Sequence, residues 1–215
     1  MAIRLLAVYP AMDERSEMLY CLLELEQLGV ETVVISERSA GLHGKGYRPK
    51  YEQYRSLKVY RLYRNINEML LAPWLHYAKA LSLARDFCPD IILSSQENTM
   101  RLASNLADEL EVPIILWIET SAYSFRAGKA AGKRLIPLRL LLGLSRMPPD
   151  ERAWWKWIVR KCDAIITCNP RDKPYLNYLR SQGTPICYIP WPVGIDMESI
   201  DKLRISTKRN WGIYA

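Results

Sequence analysis

The stretch that decides the fold is residues 162–196, CDAIITCNPRDKPYLNYLRSQGTPICYIPWPVGID. A short β-branched run at 164–168 predicts a strand. Apolar residues at helical spacing over 175–179 predict a helix that ends at Gly183. A second strand is predicted at 186–189, before a turn rich in proline and glycine. A strand, a helix and a second strand in this order are typical of a parallel sheet.

The rest of the chain repeats the same alternation. Residues 37–56 contain three glycines and are predicted to form one long loop. The alternating segment that follows them predicts a strand with one solvent-exposed face. We therefore expect a doubly wound, mostly parallel α/β sheet. Strands are predicted at 3–9, 32–36, 58–64, 90–94 and 113–118, and helices at 19–28, 73–87 and 99–110.

Composition limits the class of protein. The 215 residues are 49% hydrophobic, which is enough to bury a large core in one domain. Five cysteines without a CxxC pair favour free thiols in a reducing compartment over disulfides or a zinc site. The chain shows no signal peptide and no apolar run long enough to span a membrane. We expect a cytoplasmic protein, peripheral on the inner face of the membrane.

Residues 126–161 form a basic, tryptophan-rich insertion. The segment has ten Lys or Arg against two acids, so it carries more positive charge than the net +7 of the whole chain. An anionic membrane surface is the favoured partner, because lipid headgroups attract basic helices that also carry Trp and Leu. A solvated face over a packed helix is nearly as plausible, and nucleic acid is the least favoured. The predicted membrane-binding residues are Arg139, Arg146, Arg152, Trp154, Lys156, Trp157 and Arg160.

Polar residues follow several predicted strands, whose carboxyl ends meet at one edge of a parallel sheet. No nucleophilic triad, phosphate-binding loop or dinucleotide glycine motif is present. For any single one of these residues, a capping or loop role is more common than a catalytic role. Glu119 differs because it directly follows a deeply apolar strand, where partial desolvation suits acid, base or hydrogen-bond chemistry. The strand-end set comprises Asp13, Arg15, residues 94–98, Glu119, Thr120, Asn169, Arg171, Gly194 and Asp196.

Four segments, in this order, resemble motifs of one enzyme family. They are PDIILS at 89–94, VPIILWIE at 112–119, CDAIITC at 162–168 and PVGID at 192–196. The chain resembles the amino-terminal half of a GT-B type glycosyltransferase of the retaining family 4. The resemblance implies a Rossmann-like, acceptor-binding domain over residues 1–200. Residues 201–215 would then be a linker and the start of a donor-binding domain.

The resemblance also implies a reaction. A sugar would pass from a nucleotide-sugar donor, bound by the second domain, to a glycan or lipid-linked acceptor held by this half. No metal or other cofactor is implied, and this half alone is expected to be inactive. Glu119 would be the catalytic residue, at the position where the family has a histidine. Acceptor or cleft contacts would come from Asp13, Arg15, Glu97, Asn169, Gly194 and Asp196.

Two further positions depart from the family pattern. Met12 to Arg15 replace the paired glycines that follow the first strand, and Val193 replaces an asparagine. An alternative hypothesis is a stand-alone α/β module whose basic patch binds a protein or nucleic acid. An E-x7-E pattern downstream of residue 215 would favour the enzyme over the module.

Overall fold

The computed structural model describes residues 2–10, 12, 17–39, 47–118, 149–168, 176 and 184–189. Strands and helices alternate along most of this length, as expected. The strands are β1 (Ile3–Val8), β2 (Val30–Glu37), β3 (Tyr51–Tyr54), β4 (Leu57–Tyr63), β5 (Ile91–Ser95), β6 (Ile114–Ile118), β7 (Ala164–Thr167) and β8 (Ile186–Tyr188). The helices are α1 (Glu17–Gln27), α2 (Ile66–Leu71), α3 (Tyr77–Phe87), α4 (Met100–Leu110) and α5 (Pro149–Lys161), with short 3-10 helices at Pro73–His76 and Glu97–Thr99.

Eight strands within these residues form one sheet in the order β3-β4-β2-β1-β5-β6-β7-β8. β3 and β4 pair antiparallel, and the other neighbouring pairs are parallel. The chain moves outward from β1 through β2 and β4, then returns to the other side of β1 with β5. The doubly wound, mostly parallel α/β architecture predicted from the sequence is confirmed.

Apolar side chains are buried on both faces of the sheet. On one face, Leu22 of α1 lies in a core cluster with Leu5 and Val34. On the other, the larger cluster joins β-strand residues to α3, α4 and α5, including Ile158 of α5 and Ile165 of β7. Both faces are therefore covered, which explains the continuous apolar runs of the central strands.

Two aspartates that begin strand motifs have the same structural role. Asp90 accepts a hydrogen bond from Arg4 N at 2.7 Å and donates its own N–H to Arg4 O at 2.8 Å. Asp163 does the same with Ile114, at 2.8 and 2.9 Å. Each carboxylate satisfies the first free amide of the neighbouring strand, so these motifs set the register of the sheet.

Two sequence predictions about local structure were wrong. Residues 37–56 are not one loop, because Tyr51–Tyr54 form β3 and Ser39 bridges to Tyr47. The alternation predicted for β4 is present: the face that carries Val59 and Arg61 is buried, and the other face is half-buried. The predicted helix 73–87 is divided, since a 3-10 turn precedes α3.

Helix α2 was not predicted from the sequence. Six residues are too few to show helical periodicity, but Asn65 caps the helix by accepting a hydrogen bond from Glu68 N at 2.9 Å. The helix predicted near residue 176 lies outside the described residues except for Leu176, which is buried.

Candidate functional site

The candidate site is the carboxyl edge of the parallel strands. The chain reverses direction across the sheet between β1 and β5, and open α/β sheets bind ligands at such a switch point. Tyr9 and Met12 follow β1 there, and residues 96–99 follow β5. The ends of β2 and β4 lie on one side of this point, and the ends of β6 and β7 lie on the other.

A network of hydroxyl groups shapes the turn after β5. The hydroxyls of Ser94 and Thr99 lie 2.8 Å apart and both are buried. Thr99 Oγ1 also lies 2.7 Å from Ser95 O and 3.1 Å from Gln96 O. Gln96 N donates to Trp117 O at 2.8 Å, which ties the turn to β6. The backbone of residues 95–96 is thus held from both sides.

Gln96 is strained by this network. Its φ of 73° and ψ of 150° fall in a region that is essentially restricted to glycine. Strain of this kind costs about 1–3 kcal/mol and is concentrated at functional sites. Gln96 belongs to the polar run 94–98, in which Glu97 was the residue predicted to contact the acceptor. The positive φ of Gln96 distinguishes it from its neighbours in that run.

Replacing Gln96 with glycine is expected to stabilise the protein. The strain relieved, about 1–3 kcal/mol, exceeds the extra backbone entropy cost of glycine, about 0.5–1 kcal/mol. Urea unfolding of Gln96→Gly measures the gain, and Gln96→Ala is the matched control because alanine keeps the strain. If both variants lose equal stability, Gln96 is not strained.

A second polar cluster lies where β1, β2 and β4 end. Arg61 is fully buried, and its Nη2 donates to Met12 O at 2.7 Å and pairs with Glu52 Oε2 at 2.5 Å. Met12 N donates to Ser36 Oγ at 3.3 Å. Both backbone groups of Met12 are therefore fixed by side chains from β2 and β4, which positions the beginning of the β1–α1 loop.

Among the described residues, some buried polar groups at this edge have no hydrogen-bond partner. They are Nε and Nη1 of Arg61, Oε1 of Glu37 and the indole N–H of Trp117. Desolvation raises the pKa of Glu37, although the Ser39 amide, 2.6 Å from Oε2, and the positive charge of Arg61 both oppose the shift. These groups therefore keep hydrogen-bonding capacity that the described side chains do not use.

The structure places one of the predicted acceptor residues. Glu97 begins the 3-10 helix after Gln96 and is half-buried at the switch point. β6 and β7 end at Ile118 and Thr167, on the same edge. The other predicted site residues lie outside the described residues: Asp13, Arg15, Glu119, Asn169, Gly194 and Asp196.

Helix α5 carries the described part of the predicted membrane-binding set. Trp154 and Trp157 are half-buried, stack on each other at 4.8 Å and pack against the core. The guanidinium of Arg101 lies 5.1 Å from the ring centre of Trp154. Lys156 is half-buried and Arg160 is exposed. The side chains of Arg139, Arg146 and Arg152 lie outside the described residues.

The five cysteines are free, as expected, and Cys88 and Cys187 are exposed. Within the described residues, no group of His, Cys, Asp and Glu side chains is arranged to hold a metal ion. No helix of this part of the chain combines the length and the apolar character needed to cross a bilayer. The described site offers hydrogen bonds and charge for binding a polar ligand.

The fold is that of a Rossmann-like domain of the GT-B glycosyltransferases, with a polar carboxyl edge. The sequence profile of Glycosyltransferase Family 4 matches residues 18–197. The chain belongs to this family, as its motifs indicated. A comparison with curated protein sequences gives no match.

Solved structures agree in fold. Sucrose-phosphate synthase from Thermosynechococcus elongatus is 9% identical with a TM-score of 0.63, covering 94% of this chain and 52% of that one. A trehalose-phosphate synthase from Burkholderia vietnamiensis is 12% identical with a TM-score of 0.50, covering 99% and 52%. UDP-N-acetylglucosamine 2-epimerase from Rickettsia bellii is 14% identical with a TM-score of 0.52, covering 98% and 50%. The chain spans about half the length of these proteins.

Proposed function

We propose that the chain is the acceptor-binding half of a retaining glycosyltransferase. The complete enzyme transfers a sugar from a nucleotide-sugar to a glycan or lipid-linked acceptor, without a metal or other cofactor. The donor site lies in a second domain encoded beyond residue 215. Family membership and the match to about half the length of a sucrose-phosphate synthase and a trehalose-phosphate synthase support this proposal.

The observation that carries the proposal is the polar carboxyl edge at the switch point. Gln96 and Glu97 follow β5, Glu37 ends β2, and Arg61 is a buried residue of β4. Carboxylate, amide and guanidinium groups are suited to the hydroxyls of a sugar acceptor. We assign acceptor or cleft contacts to Asp13, Arg15, Glu97, Asn169, Gly194 and Asp196, and catalysis to Glu119.

The decisive experiment compares the 215-residue chain with its longest reading frame. We expect the longer protein to transfer sugar from a nucleotide-sugar, with NMR showing a product of unchanged anomeric configuration. The 215-residue chain alone is expected to be inactive. Turnover by the 215-residue chain alone contradicts the proposal that the donor site lies in a second domain. A stop codon after residue 215 favours the stand-alone binding module instead.

Glu119 is tested in the longer protein. Glu119→Ala is expected to lower kcat about 100-fold, as loss of a general acid or base typically does. Glu109→Ala is the matched control, because Glu109 is an exposed carboxylate on α4. Equal activity of the two variants removes Glu119 from the mechanism.

We also propose that the protein is cytoplasmic and attaches peripherally to the inner face of the membrane. The net charge of +7 supports attraction to anionic lipid. Sedimentation with anionic vesicles tests this attachment, and binding is expected to weaken as salt is raised.

A further inference from the structure

Two buried hydroxyl groups close the turn after β5 in a defined order. Each hydroxyl has one proton to donate, so the short distances decide how the bonds run. Thr99 Oγ1 donates to Ser95 O, which lies 2.7 Å away and can only accept. Ser94 Oγ therefore donates to Thr99 Oγ1, at 2.8 Å. Thr99 is the centre of the network, because its hydroxyl joins the end of β5 to the residue that precedes α4.

The turn is anchored at both of its ends. Ser95, the last residue of β5, has no exposed surface, and neither has Met100, the first residue of α4. Gln96 N is also held by Trp117 O, at 2.8 Å. The backbone of Gln96 therefore leaves its φ of 73° only if the bonds of Thr99 break or packed elements move.

This buried network supports two side chains that are partly exposed at the switch point. Gln96 and Glu97 are half-buried, whereas Thr99 is only 2% exposed. Glycine would adopt the backbone conformation of residue 96 without strain, yet the chain has a glutamine there. Strain that accompanies a polar side chain at a sheet edge is typical of a position where geometry serves binding.

We propose that Thr99 is a positioning residue for the sugar acceptor. Its hydroxyl holds Gln96 in the strained conformation, and that conformation directs the side chains of Gln96 and Glu97 to hydroxyl groups of the acceptor. An amide both donates and accepts hydrogen bonds and a carboxylate accepts them, so the pair suits a neutral, polyhydroxylated ligand. The inference rests on the proposed function, since it requires an acceptor that binds at this edge.

The first test measures the coupling between Thr99 and Gln96 by urea unfolding of the 215-residue chain. Without the Thr99 hydroxyl, Gln96 is free to leave the strained conformation. Gln96→Gly should therefore raise the urea midpoint of the Thr99→Val variant by about half, or less, of its effect in the wild type. Thr99→Ser keeps the hydroxyl and should give the full effect.

Thr32→Val is the matched control for this coupling. Thr32 is also 2% exposed, and its hydroxyl has no partner among the described residues. Gln96→Gly should have its full effect in the Thr32→Val background. Equal effects in the Thr99→Val and Thr32→Val backgrounds overturn the inference, because they mean that Thr99 does not hold Gln96.

The second test measures transfer by the longer protein from UDP-sugars and GDP-sugars to methyl glycosides. Thr99→Val is expected to raise the KM for the acceptor about 10-fold and to leave the KM for the donor within about 2-fold of wild type. Thr99→Ser should restore the acceptor KM. Gln96→Gly should combine higher stability with a raised acceptor KM, which a general loss of structure does not produce.

The kinetic outcomes separate this inference from the proposed function. If the wild type transfers sugar and Thr99→Val keeps the wild-type acceptor KM, the proposed function stands and the inference is overturned. An equal rise in the donor and acceptor KM also overturns it, because positioning of the acceptor alone does not affect the donor. If the wild type transfers sugar to none of the glycosides, both proposals fail.

Discussion

Replacing Arg61 with alanine is expected to lower the free energy of unfolding by about 3–5 kcal/mol near neutral pH. The guanidinium has no exposed surface and bridges Glu52 to Met12 O, at 2.5 and 2.7 Å. Its removal leaves the carboxylate and the carbonyl without this donor and opens a cavity on the buried face of β4. Urea unfolding followed by circular dichroism measures the loss. Arg55→Ala, on the exposed β3–β4 turn, is the control and is expected to change stability by about 0.5 kcal/mol or less.

The loss is also expected to depend on pH through Glu37. Desolvation raises the pKa of Glu37, and the charge of Arg61 opposes that rise. A raised carboxyl pKa means that the contribution of Glu37 to stability falls as pH increases through that pKa. Without Arg61 the pKa rises further, so the variant loses more stability near neutral pH than in acid, where Glu37 is protonated. Adding Glu37→Gln to the Arg61→Ala variant should remove the pH dependence of stability that comes from Glu37. An unchanged pH dependence in the double variant means that the two groups do not interact.

The sequence predicted the order of the elements because the central strands are buried on both faces. Such strands are continuous apolar runs, and the aspartates before β5 and β7 mark where they begin. Asp90 and Asp163 bond to the adjacent strand, so their positions carry information about pairing as well as length. Local patterns sufficed for this part of the fold.

The burial of Arg61 could not be predicted, because its partners are distant in the linear sequence. Glu52 reaches it across the β3–β4 hairpin and Met12 across the sheet, so no local pattern distinguishes it from a solvated arginine. One signal was available. The segments 51–54 and 57–60 both contain residues that favour strands, such as Tyr51, Tyr54 and Val59, and they are separated by two residues, which is the length of a tight hairpin loop. Identifying the hairpin would have brought Glu52 alongside β4.

The sequence predicted that the candidate site lies at the carboxyl edge of the sheet. It did not predict the backbone conformation of Gln96 at that edge. The rule that strand ends converge placed residues 94–98 at the carboxyl edge, and β5 does end at Ser95. The strain at Gln96 comes from the hydroxyls of Ser94 and Thr99, which meet only after the backbone has turned. Side-chain hydrogen bonds across a turn form only when the chain has folded, so the residue types alone do not predict them.

Replacing Trp155 with alanine is expected to cost about 3–5 kcal/mol, the typical loss for a large buried aromatic residue. Trp155 is only 2% exposed and belongs to the larger core cluster, beside Ile158 and Val159. The buried side of α5 thus lies at 155, 158 and 159, where three or four residues separate neighbours on one helix face.

Trp154→Ala and Lys156→Ala are the matched controls on the same helix. Trp154 is half-buried and should cost less than Trp155, while Lys156→Ala should change stability by about 0.5 kcal/mol or less. Circular dichroism follows unfolding, because each tryptophan variant alters the fluorescence itself. Trp155→Ala as stable as Lys156→Ala would show that α5 is not docked on the sheet. The described tryptophans of the helix would then be available to a membrane.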